Sequence, residues 1–243
     1  MASVGFLGLG KIGRAVLEEA RCLNCQVAYV LDPFLKDAGD LPVVTAPAAA
    51  DLVVECATAD ALKNNFDAII AQSDLLVFSL TAFSDAAFAD HAREMAQKAG
   101  HHIYFPHGAI LGLDGIWDGR EIINSVSIET VKSPASLGLN LTERTVVYEG
   151  STRQACQAFP RNVNVHAAVA LAGIGFDKTV SRIVADPAVN TNTHHITVDG
   201  EGIHFHLEIS SFTTGGVTGV YTPKSACGSL RRLLAKDEVY AFV

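Results

Sequence analysis

The chain begins with a glycine pattern whose spacing suits the binding of a phosphate group. Gly8, Gly10 and Gly13 spell G-x-G-x-x-G directly after the apolar run 4–7. In such a turn the first glycine permits the tight bend, the second lets a pyrophosphate approach the backbone, and the third lets the next helix pack on its strand. The phosphates then lie at the N-terminus of a helix starting near Lys11, where N–H groups and the helix dipole favour negative charge. The sequence therefore predicts a dinucleotide site here, with a coincidental glycine turn as the alternative.

An acidic residue in the right place supports this prediction. Lys11 and Ile12 lie inside the glycine pattern and are included in the predicted cofactor site. Helical spacing follows the turn from Ile12 onward, and a second apolar strand spans 26–31. Asp32 ends that strand about 20 residues past the last glycine, where a carboxylate holds the ribose hydroxyls of a dinucleotide. The residues alone leave a nicotinamide dinucleotide and a flavin dinucleotide both open as the cofactor. Because Asp32 places a negative charge where the 2′-phosphate would lie, we expect NAD to bind at least as well as NADP.

Two asparagines form a second group of polar candidates. Asn162 and Asn164 stand at the start of a predicted helix, 163–173, made almost wholly of small and apolar residues. An asparagine here either caps the helix or offers an amide that both donates to and accepts from a carboxamide such as that of nicotinamide. The residues alone leave both interpretations open.

A polar stretch, 185–195, is predicted to be a loop between two strands, and it ends in two histidines. An amide, Asn192, precedes the first of them by two positions. A histidine at the mouth of a strand, with a pKa near the ordinary 6.5, is a candidate general acid or base at neutral pH.

Other patterns give weaker signals. Cys22 and Cys25 spell C-x-x-C, but where a helix should end rather than begin, which is not typical of a redox site. His204 and His206 share one face of a predicted strand without a third ligand at a telling spacing, so no metal site is predicted. The chain has neither G-x-S-x-G nor H-E-x-x-H, so nothing favours a hydrolase.

These residues are positioned by two different successions of elements. The first hundred residues alternate strands with helices, which predicts a parallel sheet covered on both faces. Consecutive strands with little helix between them follow, and a final helical segment over 225–234 is expected to pack back on the first domain. The predicted fold is α/β, with a Rossmann-type parallel domain over 1–107, completed by 220–243. A second α+β domain with a mixed or antiparallel sheet is predicted over 108–219.

Composition bounds the class of protein. The 243 residues are 49% hydrophobic and only 18% charged, which is typical of a globular α/β protein rather than a disordered chain. The net charge of −8 disfavours nucleic acid or an anionic membrane as a partner. No apolar run is long enough to span a bilayer. An odd number of cysteines, five, and a start without a signal peptide predict a cytoplasmic protein.

Several segments beyond the glycine turn resemble the L-aspartate dehydrogenase family, in order and over nearly the whole chain. They are PHGAILGLD at 106–114, FPRNVNV at 159–165, AVALAG at 168–173, ADP at 185–187, Asn192-x-His194, and PKS at 223–225. The resemblance implies a Rossmann domain closed by the C-terminal segment and a second domain that forms a homodimer and the substrate site. It also implies oxidation of L-aspartate with NAD or NADP to iminoaspartate, which hydrolyses to oxaloacetate and ammonia or feeds NAD biosynthesis.

The resemblance also implies roles for particular residues. The family's catalytic histidine falls on His194 rather than His195, and its cofactor-contacting alanine and asparagine fall on Ala109 and Asn164. We assign Asn192 as a possible orienter of the histidine. A substrate with two carboxylates needs cations or N–H donors, and Lys132 and Lys224 are the candidates, with an ordinary surface lysine as the alternative for each.

Two other functions stay open at this point. A reductase of the dihydrodipicolinate type would share the architecture, but its histidine pair is followed by a Lys-x-Asp-Ala-Pro-Ser-Gly run that His194 and His195 lack. A non-catalytic NAD-binding regulatory protein would keep the glycine turn and lose the catalytic histidine, which is present here.

Overall fold

A computed structural model describes residues 1–212 and 219–235. Residues 213–218, in the predicted second domain, and 236–243, in the predicted C-terminal completion, lie outside the described residues. The chain divides into two compact units. One comprises Met1–Gly108 and the segment that begins at Pro223, and the other comprises Ala109–Thr222.

The first unit is built from alternating strands and helices, as the apolar runs predict. Its elements in chain order are β1 (Ser3–Leu7), α1 (Lys11–Cys22), β2 (Gln26–Leu31), β3 (Leu52–Glu55), α2 (Ala59–Ile70), β4 (Asp74–Val77), α3 (Ala86–Ala99) and β5 (Ile103–Tyr104). Local capping residues bound the two later helices. Thr58 caps α2 by accepting a hydrogen bond from the Ala61 amide, and α3 ends at Gly100 in the left-handed region.

The sheet of this unit is parallel throughout, in the order β2-β1-β3-β4-β5. The residues after β2 form no helix, but Val43 makes one parallel bridge to Val30 on the outer side of β2. That bridge stands where the Rossmann order has a further strand, so the sheet is a Rossmann sheet with its edge strand reduced to a single bridge. The predicted Rossmann-type sheet is thereby confirmed.

The C-terminal helix completes the core of this unit. Helix α7 (Tyr221–Leu234) starts four residues earlier than its spacing predicts. Ala226 and Leu230 on α7 are fully buried and join a core cluster with Val4 and Phe6 of β1 and Val16 of α1. The predicted packing of this helix on the first domain is therefore observed.

The described part of the second unit contains five strands and three α-helices. They are α4 (Leu113–Gly119), β6 (Ile123–Lys132), β7 (Thr145–Ser151), α5 (Thr152–Ala158), α6 (Asn164–Ala172), β8 (Val180–Ala185), β9 (Thr191–Gly200) and β10 (Ile203–Phe212). The strand order is β10-β9-β6-β8-β7, in which only β6 and β8 are parallel neighbours. The sheet is mixed, as predicted.

The predicted loop over 185–195 is shorter than expected. Within the polar stretch 185–195 only residues 186–190 form a loop, because Ala185 ends β8 and Thr191–His195 already belong to β9. Its residues alternate between buried and partly exposed positions and pair along their length with β10 and β6. Pairing with two neighbouring strands holds Asn192 in β9 despite its low intrinsic strand tendency, whereas Thr191 and Thr193 favour a strand. The candidate histidines therefore lie inside a central strand.

No helix in the described part of the chain has both the length and the apolar character needed to cross a membrane.

Candidate active site

The glycine turn of the first unit has the geometry of a phosphate cradle. Gly8 has φ +88°, and a Cβ on it would lie 2.8 Å from the Cβ of Ala57, so only glycine fits. A Cβ on Gly13 would lie 2.5 Å from the carbonyl oxygen of Gly8, which shows how closely α1 packs on its strand. A Cβ on Gly10, the N-cap of α1, would meet no atom of the described residues within 4 Å. The free space therefore lies beside the first-turn N–H groups of the helix, where a pyrophosphate binds.

Asp32 is tied directly to this turn. One carboxylate oxygen accepts a hydrogen bond from the Leu9 amide at 2.8 Å, and the other accepts one from the Phe34 amide at 2.9 Å. Each oxygen keeps a further lone pair, so the carboxylate can still accept hydrogen bonds from ribose hydroxyls. The turn and the acid that the sequence predicts to act together are thus in contact.

Sequence reasoning missed a buried acid beside this turn. Glu55, at the carboxyl end of β3, is fully buried and accepts four hydrogen bonds. The donors are the Ala57 amide, the Phe78 amide, and the amide and hydroxyl of Ser79. Burial raises the pKa of Glu55. Its contacts hold together the ends of β3 and β4 at the edge where a Rossmann sheet binds its ligand. The only sequence signal was a single acid ending an apolar run.

In the second unit, strand register brings the candidate histidine beside a threonine. His194 on β9 pairs with Thr130 on β6 and with Ile209 on β10, so all three point to the same face of the sheet. His194 is 4% exposed, whereas His195 faces the other way and is partly exposed, with its Nδ1 3.6 Å from a carboxylate oxygen of Glu208. Strand alternation thus separates the two adjacent histidines.

A buried series of side chains continues from His194 into the unit. His194 Nδ1 lies 2.8 Å from Thr130 Oγ1, which lies 2.7 Å from His166 Nε2 on α6. His166 Nδ1 lies 2.9 Å from Ser181 Oγ on β8. We call this series the hydroxyl–imidazole chain, and its members are His194, Thr130, His166, Ser181 and, at its far end, Thr152.

The far end of the hydroxyl–imidazole chain is a backbone carbonyl. Thr152 Oγ1, at the start of α5, lies 2.7 Å from Ser181 Oγ and donates to the carbonyl oxygen of Thr179 at 3.0 Å. All five members are buried, and Thr130, Thr152, His166 and Ser181 were not singled out by the sequence. They escape sequence reasoning because four separate elements supply them and each resembles an ordinary core or capping residue.

Lys132 is the second unusual group of this unit. Its side chain is 2% exposed at the end of β6, and Nζ lies 3.4 Å from Asn162 Oδ1, to which it donates. No carboxylate among the described residues forms an ion pair with it. Burial lowers the pKa of Lys132 to about 8. A buried ammonium that lacks an anionic partner is costly, and an anionic ligand would relieve that cost.

The ordinary histidine pKa that the sequence suggests is wrong for His194. Burial, the nearby Lys132 ammonium and His195 together lower the pKa of His194 to about 3. Burial, His194 and Lys132 likewise lower the pKa of His166. Both imidazoles are therefore neutral at neutral pH.

The remaining predicted site residues lie in different elements of the two units. Asn192 is buried two residues before His194, on the same face of β9. Asn164 is the first residue of α6, and the N-cap position belongs to Val163, so neither asparagine occupies the capping position. Ala109 is the first residue of the second unit. Lys224 is an exposed residue of α7 in the first unit, a different unit from Lys132.

The weaker sequence patterns gain no support as sites. Cys22 and Cys25 are free thiols at the end of α1 and before β2. His204 and His206 lie on the outer face of β10, where they contact Asp199 and Thr197. Within residues 1–212 and 219–235, no three His, Cys, Asp or Glu side chains are grouped so as to hold a metal ion.

A parallel Rossmann sheet with this turn, joined in one chain to a mixed-sheet unit holding a buried histidine, defines a two-domain, nicotinamide-dependent dehydrogenase. Residues 8–106 match the family model described as homoserine dehydrogenase, NAD binding domain, and residues 117–233 match aspartate dehydrogenase, C-terminal. The chain belongs to the L-aspartate dehydrogenase family.

Individual relatives cover from two thirds of the chain to nearly all of it. The L-aspartate dehydrogenase of Thermotoga sp. (strain RQ2) is 32% identical over 243 residues, covering 96% of this chain and 98% of the relative. That of Methanococcoides burtonii is 41% identical over 175 residues, covering 66% and 65%. The crystal structure of aspartate dehydrogenase from Thermotoga maritima matches over 100% of both chains at 30% identity, with a TM-score of 0.87. The family predicted from the motifs is confirmed.

Proposed function

We propose that this protein oxidises L-aspartate with NAD or NADP to iminoaspartate, which water converts to oxaloacetate and ammonia. The observation that carries the proposal is Lys132, a buried ammonium with no carboxylate partner in the described chain, held near a neutral buried base, His194. An anionic substrate would compensate the ammonium, and a base would remove a proton from the amine. The family of curated relatives supports L-aspartate as that substrate.

The first unit fits the cofactor that this reaction needs. Gly8 and Gly13 set the turn, Gly10 leaves open space beside the helix N-terminus, and Asp32 faces the turn. Lys11 and Ile12 supply first-turn residues of α1. When bound, the nicotinamide supplies the hydride acceptor. We propose Ala109 and Asn164 as further contacts of the cofactor.

His194 is proposed as the general base and acid. Its neutral imidazole can accept a proton from the substrate amine and later assist the water that attacks the imine. A base whose pKa is about 3 in the free protein is weak, but the two carboxylates of a bound aspartate would raise that pKa, because an opposite charge favours the imidazolium. Substrate binding would therefore strengthen the base at the moment when it is used.

Lys132 is proposed to bind a substrate carboxylate. The same substrate charge would raise its pKa above the value of about 8 set by burial, and so keep it cationic in the complex. Asn162 accepts a hydrogen bond from Nζ and holds the ammonium in place. Asn192, on the same strand face as His194, is proposed to orient that histidine. Lys224 is proposed as a second carboxylate contact.

Each domain has a proposed role in this function, and the second domain is also proposed to form a homodimer. We propose that the dinucleotide-binding domain spans 1–107 and is completed by 220–243, while 108–219 form the substrate and dimerisation domain. The helices of the second unit pack on the sheet face that carries His194, and the opposite face carries polar side chains such as His195 and Thr197. A homodimer across that open face is proposed, in a reducing, cytoplasmic setting that suits five free thiols. A role in NAD biosynthesis is proposed from the family resemblance alone, and neither nucleic acid nor membrane is proposed as a partner.

The decisive test is a substrate panel under identical conditions. Reduction of NAD and of NADP is followed with L-aspartate, L-glutamate, L-alanine and L-malate. We expect kcat/KM for L-aspartate to exceed that for L-alanine by at least about 100-fold, because alanine lacks the side-chain carboxylate and would leave one of the two proposed carboxylate contacts, Lys132 or Lys224, unpaired. Comparable values for alanine and aspartate would contradict the proposed substrate. Activity confined to the reduction of a cyclic imine would instead favour the reductase alternative, and binding of NAD without turnover of any compound would favour a regulatory protein.

A further inference from the structure

The hydroxyl–imidazole chain has a fixed direction, because it ends at an atom that can only accept. The carbonyl oxygen of Thr179 has no proton to give, so the Thr152 hydroxyl, 3.0 Å away, must donate to it. A hydroxyl carries a single proton. The other contact of Thr152 Oγ1, at 2.7 Å, must therefore receive its proton from Ser181.

The direction of the Ser181 hydrogen bond fixes which nitrogen of His166 carries a proton. Since the Ser181 proton is used toward Thr152, Ser181 Oγ accepts at its 2.9 Å contact with His166, and His166 Nδ1 carries a proton. Burial keeps His166 neutral, so its Nε2 holds a lone pair. Thr130 must then donate to His166 Nε2 across 2.7 Å.

His194 is the last member of the hydroxyl–imidazole chain, and its tautomer follows from its contact with Thr130. The Thr130 hydroxyl has spent its proton on His166, so it accepts at the 2.8 Å contact with His194 Nδ1, which must be the protonated nitrogen. His194 Nε2 is left with a lone pair, and no residue in the described part of the chain hydrogen-bonds to it. The opposite direction would set two oxygen lone pairs against each other 3.0 Å apart at Thr179.

We propose that the hydroxyl–imidazole chain locks His194 in the Nδ1–H tautomer, so that Nε2 faces the substrate as a base. Thr130, His166, Ser181 and Thr152 are positioning residues in this proposal. When Nε2 takes a proton from the substrate, Nδ1 keeps its own, and none of the four buried hydrogen bonds has to reverse. The base is thus preorganised, and no rearrangement of the core accompanies the reaction. What Nε2 acts on rests on the proposed function, whereas the tautomer itself does not.

The tautomer can be read directly. Long-range ¹H–¹⁵N correlation spectra of the whole protein, labelled in its nine histidines, distinguish Nδ1–H from Nε2–H imidazole. The His194 signals are identified by their loss in His194→Ala. We expect the Nδ1–H form for both His194 and His166 at neutral pH. An Nε2–H form at His194 would overturn the proposal, even if the enzyme oxidises aspartate. An inactive protein that nevertheless holds His194 as Nδ1–H would overturn the proposed function alone.

A distant, matched pair of variants tests the lock through catalysis. Thr152→Val keeps the side-chain shape and removes the hydroxyl, four hydrogen bonds away from His194, whereas Thr152→Ser keeps the hydroxyl. In Thr152→Val we expect a mixture of tautomers at His194 and a fall in kcat of about 3- to 10-fold, with KM for aspartate and Kd for NAD within about 2-fold, because a wrong tautomer impairs only proton transfer. Thr152→Ser should restore both the tautomer and kcat.

A second pair tests the link beside the base. Thr130→Val removes the acceptor of His194 Nδ1–H, and we expect kcat to fall by about 100-fold, while Thr130→Ser stays within several-fold of the parent. Unchanged kcat and tautomer in both valine variants would refute the lock. So would a loss of NAD affinity as large as the loss of kcat. If a valine variant does not fold, the tautomer of the parent protein still decides the question.

Discussion

The two units of this protein position their candidate functional groups in different ways. In the first unit the cradle lies almost wholly within six consecutive residues, Gly8–Gly13, where local backbone geometry sets the N–H groups of a helix terminus. In the second unit the proposed base, His194, belongs to a series of side chains that starts on β9, crosses β6, α6 and β8, and ends at α5. One site is local in sequence and open, and the other is distributed and buried.

The difference matters for how each site tolerates change. A local backbone cradle depends on the absence of side chains, so adding one methyl group is the damaging change. A distributed buried chain depends on each member being present, so removing a distant hydroxyl reorganises the rest. The two units should therefore fail separately, one in cofactor affinity and the other in turnover.

The largest expected effect is at the base of the second unit. We expect His194→Ala to lower kcat by a factor on the order of 10²–10⁴, the usual contribution of general acid–base catalysis, while Kd for NAD hardly changes. His195→Ala is the matched control, because His195 points to the opposite face of β9 and should lose far less. Steady-state kinetics with titration of NAD binding measure both. Equal losses in the two variants would contradict the assignment.

The second-largest effect is expected at Lys132, where a substitution should lower activity and raise stability. We expect Lys132→Met to lower kcat/KM for aspartate by roughly 100-fold, since an unpaired buried carboxylate is strongly disfavoured. The same change should raise the free energy of unfolding by roughly 1–3 kcal/mol at neutral pH, because the buried ammonium has a lowered pKa. Thermal unfolding and kinetics on one preparation test the two together. A variant that loses stability as well as activity would show that Lys132 is a structural residue.

The same lysine predicts a pH dependence. Its pKa is about 8 in the folded protein and about 10.4 when unfolded, so the unfolded chain binds more protons between these values. The contribution of Lys132 to the free energy of unfolding therefore rises from pH 8 to pH 10, and Lys132→Met removes that rise. Binding of succinate, which has both carboxylates but no amine, should weaken as pH increases through about 8. Calorimetric titration of succinate in the parent and in the variant measures this, and a pH-independent affinity in the parent would count against the assignment.

A smaller effect distinguishes the glycines of the first unit. We expect Gly10→Ala to raise Kd for NAD about tenfold with little change in Tm, because a methyl group there meets no atom of the described residues yet occupies the space of the pyrophosphate. Gly13→Ala should lower Tm as well, since its methyl would lie 2.5 Å from the Gly8 carbonyl. In both variants the His194 tautomer should stay unchanged. A fall in Tm in Gly10→Ala equal to that in Gly13→Ala would mean that the cradle is not open there.

The smallest effect concerns the choice of cofactor. Asp32→Asn removes a negative charge beside the turn, and we expect the ratio of NADP to NAD affinity to rise by roughly 3- to 10-fold. Asp37→Asn, an exposed acid further along the same loop, is the control and should leave the ratio unchanged. Dissociation constants of both cofactors give the ratio, and an equal response to the two changes would mean that Asp32 does not face the ribose.

Local patterns in the sequence predict most of the first unit. The glycine turn, Asp32, the capping residue Thr58 and the αL stop at Gly100 are local signals, and local backbone chemistry decides their outcome. The family motifs also fix His194 as the candidate histidine. They do so by resemblance, because spacing alone does not separate it from His195.

The chemistry of the second unit depends on contacts that form only in the folded chain. The strand containing His194 begins at Thr191 because pairing with β6 and β10 imposes it on a polar segment. The depressed pKa values of His194 and Lys132 come from burial, which depends on the helices and strands around them. The tautomer is inferred from a carbonyl at Thr179, reached through four side chains from other elements. Burial and long-range pairing are properties of the folded chain, so no local pattern of residue types could specify them.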